Sequence, residues 1–335
     1  MKKKIFYFIL ILSLLLNLAL GFMFRTKITS KVKAVFKTEA ISDHKNKTEI
    51  INDLVFYEGK KMSVYGRYHD ENNFNRLPAT FQKSVRAEVW DISKNSAGLS
   101  IRFTTNSPVI GAKWTILNHP SIGNMTKIAS SGIDLYCMMN GKWQYVNSGI
   151  PSGKVNESLL ISEMDSTTKE FMIHLPLYDG TERIEIGIEK GFSLTSLSDT
   201  KPNKPIVFYG TSITQGGSAS RPGMAYPSII GRNLNTEIIN LGLNGNGRFE
   251  QSIGAALCEI DTQLFVIDCT PNSHPDTIKN NALNLVKQIR NCRPKSPILL
   301  IESSMRENAY PKTTDPSSFG SYPFIWAQNE ALQKA

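Results

Sequence analysis

The second half of this 335-residue chain alternates short apolar runs with segments of helical periodicity, and no other feature restricts its fold as strongly. The apolar runs cover residues 205–209, 238–241, 264–268 and 297–301, and the helical segments cover 225–234, 252–260, 277–292 and a stretch from about 324 onward. Strands that alternate with crossover helices pair in parallel. The pattern therefore predicts an α/β domain with an open parallel sheet of four strands.

Residues 54–197 show a different sequence pattern, in which turn sequences such as Asn140-Gly141 and Asp179-Gly180 separate short apolar runs. Those runs cover 86–90, 98–104, 109–114, 133–138, 143–146, 170–175 and 183–189. Many short strands at this spacing, without a long helical period, are typical of a β-sandwich. A polar, proline-containing hinge at 201–205 separates the halves. We predict a β-sandwich domain over 53–200 and an α/β domain over 201–335.

The first 24 residues read as an export signal. Three lysines at 2–4 precede an uncharged, apolar stretch over residues 5–24, and Arg25 ends it. A cleaved signal peptide, with Ala19-Leu-Gly21 as the cleavage site, and an uncleaved membrane anchor both fit this pattern. No cysteine follows the stretch, which argues against a lipoprotein. We expect a linker over 25–52 and an exported protein, periplasmic, extracellular or at the cell surface, that touches a membrane only through residues 5–24.

Composition excludes several classes of protein. The chain is 41% hydrophobic and 20% charged, which suits a folded core and not a disordered tail. Its net charge of +9 is spread along the sequence, whereas nucleic-acid binding needs basic residues gathered on one surface. The four cysteines, Cys137, Cys258, Cys269 and Cys292, form no CxxC pair, so a cysteine zinc site is not expected.

Polar or glycine-rich turns follow all four predicted strands of the α/β domain, where an open parallel sheet gathers its ligands. Ser212 lies in the heptad 210–216 between two glycines, a setting that suits a nucleophile or a helix N-cap. The stretch 242–247 lacks a P-loop ending and suits backbone N–H groups that bind an oxyanion. Asn272 can add a side-chain N–H, or it is a turn residue after Pro271.

The heptad 210–216, the glycine of 244–246 and the asparagine of 268–272 follow one another in the order and spacing of the SGNH (GDSL-like) hydrolases, which this chain resembles. The block 215–227 and Gly132-Ile-Asp-Leu-Tyr136 are similar to a subfamily in which a β-sandwich with a GxDLY motif precedes the hydrolase domain. The resemblance covers roughly 54–335. It implies a flavodoxin-like three-layer hydrolase domain after a jelly-roll-like β-sandwich.

The resemblance assigns roles to the matching positions. Ser212 would be the nucleophile, and the oxyanion hole would consist of its own N–H, the Gly245 N–H and Asn272 Nδ2. No metal or cofactor is implied.

Four further residues carry weaker implications. Arg221 and Tyr226 would shape a pocket for an acyl group or a sugar. Asp134 and Tyr136 would lie at the domain interface near the active site, or would be purely structural as a β-strand with a buried tyrosine.

The family's general base, a histidine in an Asp-x-x-His block near the C-terminus, has no counterpart here. The five histidines are His44, His69, His119, His174 and His274, and none has an aspartate three residues before it. Either the chain ends before that block and the α/β domain is incomplete, or it is a variant without the base. His274, close after Asn272, and His119, in the sandwich, are the positional substitutes.

The function expected from these features is that of an exported serine esterase that deacylates carbohydrate through an acyl-enzyme. Its partners would be an acylated small molecule or a polysaccharide, and the sequence leaves the oligomeric state open. A non-catalytic glycan-binding or surface protein is the alternative, which an Asp-x-x-His block in the longer gene would exclude. A nucleotide-binding protein fits poorly, because the chain has neither a P-loop nor GxGxxG after the first strand of its α/β domain.

Overall fold

A computed structural model describes residues 47–118, 120–197, 203–312 and 317–335 of the chain. The first of two units ends at Asp53, and its described part is helical over 47–52. The second unit covers Leu54–Ala335. Among the described residues, no helix combines the length and apolarity that crossing a bilayer requires. The predicted signal or anchor, residues 1–24, and most of the predicted linker lie outside them.

Short strands dominate the first half of the second unit. They are β1 (Val55–Glu58), β2 (Val64–Tyr65), β3 (Ser100–Thr105), β4 (Ile110–Ile116), β5 (Ile133–Met139), β6 (Lys142–Gly149), β7 (Val155–Ile161), β8 (Lys169–His174), β9 (Thr181–Ile188) and β10 (Leu194–Ser196), with helices α1 (Ala87–Ser93) and α2 (Lys127–Ser131) between them. One antiparallel sheet has the order β1-β9-β4-β7. The other has the order β10-β3-β8-β5-β6, with β2 also paired to β3.

The two sheets enclose one hydrophobic core. Trp114 and Ile184 enter it from the first sheet, and Phe103 and Phe171 enter it from the second, where their rings stack 5.7 Å apart. Inward-facing apolar side chains from two antiparallel sheets are what define a β-sandwich. The sandwich expected from the sequence is therefore present in the structure.

The strand predicted over residues 86–90 is wrong, because this segment begins helix α1. Val85, Val89 and Ser93 are buried at intervals of four residues, which is the period of a helix face. The two valines pack into the core of the α/β domain and not into the sandwich. Ala87, whose alternation with Val89 suggested a strand, is exposed, so these two residues do not share a buried face.

The second half of the unit alternates strands and helices as predicted. Its elements are β11 (Ile206–Gly210), α3 (Ser212–Gln215), α4 (Tyr226–Leu234), β12 (Ile238–Gly242), α5 (Gln251–Glu259), β13 (Leu264–Asp268), α6 (Pro275–Cys292), β14 (Ile298–Leu300) and α7 (Tyr322–Lys334). The strands pair in parallel in the order β12-β11-β13-β14. This is the strand order of a flavodoxin-like sheet, so the predicted fold class is confirmed.

Successive side chains of the parallel strands point to opposite faces of the sheet. Val207 and Tyr209 of β11 contribute to the large core formed with α5, α6 and α7. Ile206 and Phe208 of the same strand point to the other face, which α4 covers through Tyr226 and Ile230. Of the described helices, α5, α6 and α7 therefore cover one face of the sheet, and α4 covers the other.

A disulfide bond joins Cys258 in the last turn of α5 to Cys292, the last residue of α6. It closes a loop with a sequence separation of 34 residues. Cys137 and Cys269 are free and buried. A disulfide stabilises the fold mainly by restricting the unfolded chain, here by about 3–4 kcal/mol for a loop of this length.

Replacing both Cys258 and Cys292 with serine should therefore lower the melting temperature by roughly 6–12 °C, measured by calorimetry. A reductant should lower the melting temperature of the wild-type protein by a similar amount and should leave that of the double variant unchanged. Equal melting temperatures of the oxidised wild type and the double variant would show that the bond contributes no stability.

Candidate active site

The carboxyl ends of three strands lie at the same level. Gly210 of β11 is in register with Gly242 of β12 on one side and with Asp268 of β13 on the other. The turns after these strands touch, since a Cβ on Gly242 would stand 2.1 Å from the Gln215 backbone nitrogen. Ser212, Gly245 and Asn272 are two, three and four residues beyond the aligned positions, so the turns that carry them leave the sheet at the same edge.

Ser212 is the first residue of the four-residue helix α3 and is half-buried. The N-cap of that helix is Thr211, whose side chain accepts the Ile213 N–H at 3.3 Å. The N-cap alternative for Ser212 is therefore wrong. Because N–H groups in the first turn of a helix have no partner within it, the Ser212 N–H is not used by the helix itself.

Gly245 occupies the tip of a tight turn, in which the Asn246 N–H donates to the Leu243 carbonyl at 2.9 Å. Its φ of +68° lies in the left-handed region, which a glycine adopts without strain. The Asn244 carbonyl accepts a hydrogen bond from Asn246 Nδ2 at 2.9 Å. Carbonyl and N–H of one trans peptide point in opposite directions, so the Gly245 N–H points away from the Asn246 side chain.

Asn272 ends a 3₁₀ turn over Thr270–Asn272. Its Nδ2 atom is buried and has no hydrogen-bond partner. The carbonyls on either side, of Thr270 and Ser273, accept hydrogen bonds from the buried Gln328 of α7 at 2.8 and 2.7 Å. Leaving a buried donor unpaired costs about 1–3 kcal/mol, so such a group calls for a functional explanation.

The Gly-x-Asp-Leu-Tyr motif lies at the interface of the two domains. The Asp134 carboxylate accepts the Ser148 hydroxyl at 2.6 Å and the Gly223 N–H at 2.8 Å, and Arg221 Nε lies 3.4 Å away. Burial raises the pKa of this carboxyl, while the hydrogen bonds from Ser148 and Gly223 oppose the rise. Asp134 thus fixes the segment 221–223 that follows the nucleophile helix.

Tyr136 of the same motif is buried, and the Arg232 guanidinium lies 4.1 Å from its ring centre. The Arg221 guanidinium lies at the same distance over the ring of Tyr145. The interface position expected for Asp134 and Tyr136 is what the structure shows. Contact of Asp134, Tyr136 and Arg221 with substrate stays a prediction.

Tyr226, Thr214 and Asp268 form a buried cluster beside the nucleophile helix. The Asp268 carboxylate accepts hydrogen bonds from Thr214 at 2.9 Å and from Tyr226 at 3.0 Å. Burial is the main cause that raises the pKa of the Asp268 carboxyl, and these two hydrogen bonds oppose it. Burial and the nearby Asp268 charge also raise the pKa of Tyr226. The cluster ties α3 and α4 to the end of β13.

An apolar groove of about 400 Å³ runs along the face of the sheet beside α4. Ile206 and Leu264 line it at the amino ends of their strands. Ile213 and Pro271, the neighbours of Ser212 and Asn272, line it at the catalytic edge. The groove therefore extends along the sheet face as far as the residues next to Ser212 and Asn272.

None of the three histidines in the described residues hydrogen-bonds to Ser212. His69 contacts the Asn75 carbonyl at 3.1 Å, and His174 contacts Arg232 at 3.1 Å. His274 is the exposed N-cap residue of α6, and its ring packs edge-on against Phe324. His119, the other positional substitute, lies outside the described residues.

Arg76 is a site residue that the sequence did not suggest. Its buried guanidinium donates to the carbonyls of Ile92 and Asn95 at 2.7 and 2.8 Å, to Asn240 at 3.3 Å and to Gly242. Burial lowers its pKa to about 9. It braces the end of β12, from which the Gly245 turn departs. A lone arginine in a segment with no motif carries no signal for this role.

Two family models match the chain. The first, the N-terminus of the SGNH-hydrolase-type esterases with the GxDLY motif, matches residues 54–194, and the second, the GDSL-like lipase/acylhydrolase family, matches residues 203–318. No curated protein sequence matches the chain.

Several solved structures resemble it. A protein from Bacteroides ovatus designated a GDSL-like lipase is 35% identical with a TM-score of 0.78, and the match covers 84% of this chain and 82% of that one. A salicylyl-acyltransferase from a tetracycline biosynthetic pathway shares the fold at 14% identity with a TM-score of 0.68, over 84% of this chain and 80% of that one.

The raised pKa of Asp268 predicts a pH-dependent effect of Asp268→Asn. Where the folded pKa of a carboxyl exceeds its unfolded value of about 4, ionisation destabilises the folded protein as pH rises. Asparagine cannot ionise and can still accept from Thr214 or Tyr226. The free energy of unfolding of the variant, minus that of the wild type, should rise between pH 4 and pH 8 in urea titrations.

Asp276→Asn, at an exposed carboxylate near the start of α6, is the control. The free energy of unfolding of this variant, minus that of the wild type, should not rise with pH. A flat or falling difference for Asp268→Asn would contradict the account of this cluster.

Proposed function

The chain belongs to the GDSL-like lipase/acylhydrolase family, and on that premise we propose that it is an exported serine esterase that removes acyl groups from carbohydrate. Ser212 Oγ attacks the ester carbonyl carbon, and its proton passes to a general base. The tetrahedral oxyanion is held by the N–H groups of Ser212 and Gly245 and by Asn272 Nδ2. The alcohol departs with a proton, and water then hydrolyses the acyl-enzyme and restores Ser212.

The observation that carries this proposal is the unpaired Asn272 Nδ2. It is buried, and it belongs to a turn that Gln328 holds through the Thr270 and Ser273 carbonyls. A developing negative charge on a substrate oxygen would satisfy it. The cost of keeping this donor unpaired is then recovered as stabilisation of the transition state.

The general base is proposed to come from an Asp-x-x-His block in a segment that follows Ala335 in a longer gene product. The apolar groove supports this, because it leaves the sheet face beside α4 open from the strand starts to the catalytic edge. A segment seated in the groove would reach the catalytic edge beside Ile213 and Pro271.

Export is supported by the Cys258–Cys292 disulfide together with the N-terminal sequence. Structural disulfides form and persist in oxidising compartments and are rare in the cytosol. The disulfide supports export independently of the N-terminal apolar stretch, because it lies in the folded α/β domain.

A carbohydrate substrate is supported by exposed aromatic side chains on α7. Tyr322 and Trp326 lie one helical turn apart with rings inclined by only 14°, and 41% and 62% of these residues is exposed. The same helix carries Gln328, which holds the Asn272 turn. Nearly parallel aromatic faces present the C–H-binding surface on which pyranose rings stack, here on a helix that also contacts the Asn272 turn.

Ester hydrolysis tests the reaction. With p-nitrophenyl acetate, residues 1–335 alone should be nearly inactive, and the product of the reading frame continued past Ala335 should be active. In that product Ser212→Ala should lower kcat by about 10⁴-fold or more, and Asn272→Ala by about 10²–10³-fold. Ser220→Ala, at an exposed serine in the block 215–227, is the control and should have no effect on kcat.

A stop codon directly after Ala335, or full activity of Ser212→Ala, would reject this esterase mechanism. The former would favour the glycan-binding alternative.

Trp326→Ala tests the substrate class. It should raise KM for an acetylated xylo-oligosaccharide about fivefold to tenfold, the loss of roughly 1 kcal/mol of ring stacking, and leave KM for p-nitrophenyl acetate unchanged. Tyr57→Ala, which removes an exposed tyrosine of the sandwich, should change neither value. An equal change for both substrates would argue against sugar stacking on α7.

A further inference from the structure

Gln215 spans three parts of the molecule with one buried amide. The residue has no exposed surface. Its Nε2 donates to the Leu177 carbonyl of the sandwich domain at 2.9 Å. Its Oε1 accepts the Asn244 N–H of the oxyanion turn, also at 2.9 Å. Because Gln215 ends the helix that Ser212 begins, one side chain links the nucleophile, the turn and the sandwich.

The two partners require the two different ends of an amide. The Leu177 carbonyl needs a donor, and the Asn244 N–H needs an acceptor. A carboxylate at this position would place a second hydrogen-bond acceptor against the Leu177 carbonyl. An apolar side chain would hydrogen-bond to neither the Leu177 carbonyl nor the Asn244 N–H. The length of α3 places the Gln215 side chain between them while Ser212 faces the site.

Asn244 immediately precedes Gly245, so the hydrogen bond from its N–H helps to fix the tip of the turn. The base of the turn is tied to β11, because the Leu243 N–H donates to the Gly210 carbonyl at 2.9 Å. Asn246 Nδ2 holds the Asn244 carbonyl, and Arg248 holds the Gly245 carbonyl at 2.7 Å. Asn244 and Gly245 themselves are exposed. Of the contacts described for these two residues, the one with Gln215 is the link from the turn to the nucleophile helix.

We propose that Gln215 is a positioning residue that holds the Gly245 N–H at the correct distance from Ser212 Oγ, and that through Leu177 the sandwich domain takes part in shaping the oxyanion hole. This inference rests on the esterase function proposed above. A donor that is displaced by a fraction of an ångström stabilises the oxyanion less but does not alter substrate binding in the ground state.

Two substitutions of Gln215 test the proposal in the esterase-active gene product. Gln215→Met keeps the volume but loses both hydrogen bonds, and it should lower kcat for p-nitrophenyl acetate about tenfold to hundredfold at unchanged KM. Gln215→Glu should depend on pH. While the new buried carboxyl is protonated, its O–H can donate to the Leu177 carbonyl, and on ionisation that contact becomes repulsive. The kcat of Gln215→Glu, divided by that of the wild type, should therefore fall as pH rises, whereas the ratio for Gln215→Met should stay constant.

The control is Asn156→Ala, which removes a buried amide bonded to Ser152, Gly153 and Lys154 in the sandwich, away from the site. It should destabilise the fold without lowering kcat. The proposal would be overturned if Asn156→Ala lost as much kcat as Gln215→Met. It would also be overturned if Gln215→Met changed only KM or left kcat unchanged.

Hydrogen exchange separates this outcome from a failure of the esterase function. The Asn244 amide should exchange faster in Gln215→Met than in the wild type, a result that needs no catalysis. If the wild type hydrolyses no ester, the proposed function fails whatever the exchange shows. If the wild type is active and Asn244 exchange is unchanged in Gln215→Met, the positioning role fails alone.

Discussion

The parallel register of β11 with β12 and β13 is the constraint on which the site depends. It sets Gly210, Gly242 and Asp268 level, so that the three turns carrying Ser212, Gly245 and Asn272 leave the sheet side by side. Backbone hydrogen bonds fix this alignment, and the absence of a side chain on Gly242 lets α3 pack directly on the end of β12. A shift of one residue in any strand would turn its side chains to the opposite face and separate the three groups.

Buried polar contacts join this sheet edge to the sandwich. Asp134 holds the Gly223 N–H, Arg76 holds the Gly242 carbonyl, and Gln215 holds the Leu177 carbonyl. Each contact pairs a buried side chain with a backbone group, and Gly223 and Gly242 lie within a few residues of helix α3 or of the Gly245 turn. The sandwich is therefore part of the scaffold of the site and not only an appended domain.

The architecture was predictable from sequence where the hydrophobic period was unambiguous. All four parallel strands fall within one or two residues of their predicted bounds, since five-residue apolar runs between helical segments admit few alternatives. Strands β1, β2, β7 and β10 were missed. β2 and β10 are only two and three residues long, and exposed apolar residues such as Val55 and Val155 blur the alternation of β1 and β7. Segment 86–90 was misassigned because five residues are too few to distinguish a strand period from a helix period. A sequence motif singles out Ser212, Gly245 and Asn272, whereas the contacts of Arg76 and Gln215 join residues far apart in the chain and leave no motif.

Ser212, Gly245 and Asn272 are proposed to surround a single oxyanion position, and a crystal structure with a boronic acid that adds to the nucleophilic serine would test this. Boron should be bonded to Ser212 Oγ, with one boronate oxygen about 2.7–3.1 Å from both the Gly245 nitrogen and Asn272 Nδ2. A boronate bonded elsewhere, or one whose oxygens face solvent while Asn272 Nδ2 stays unpaired, would contradict it.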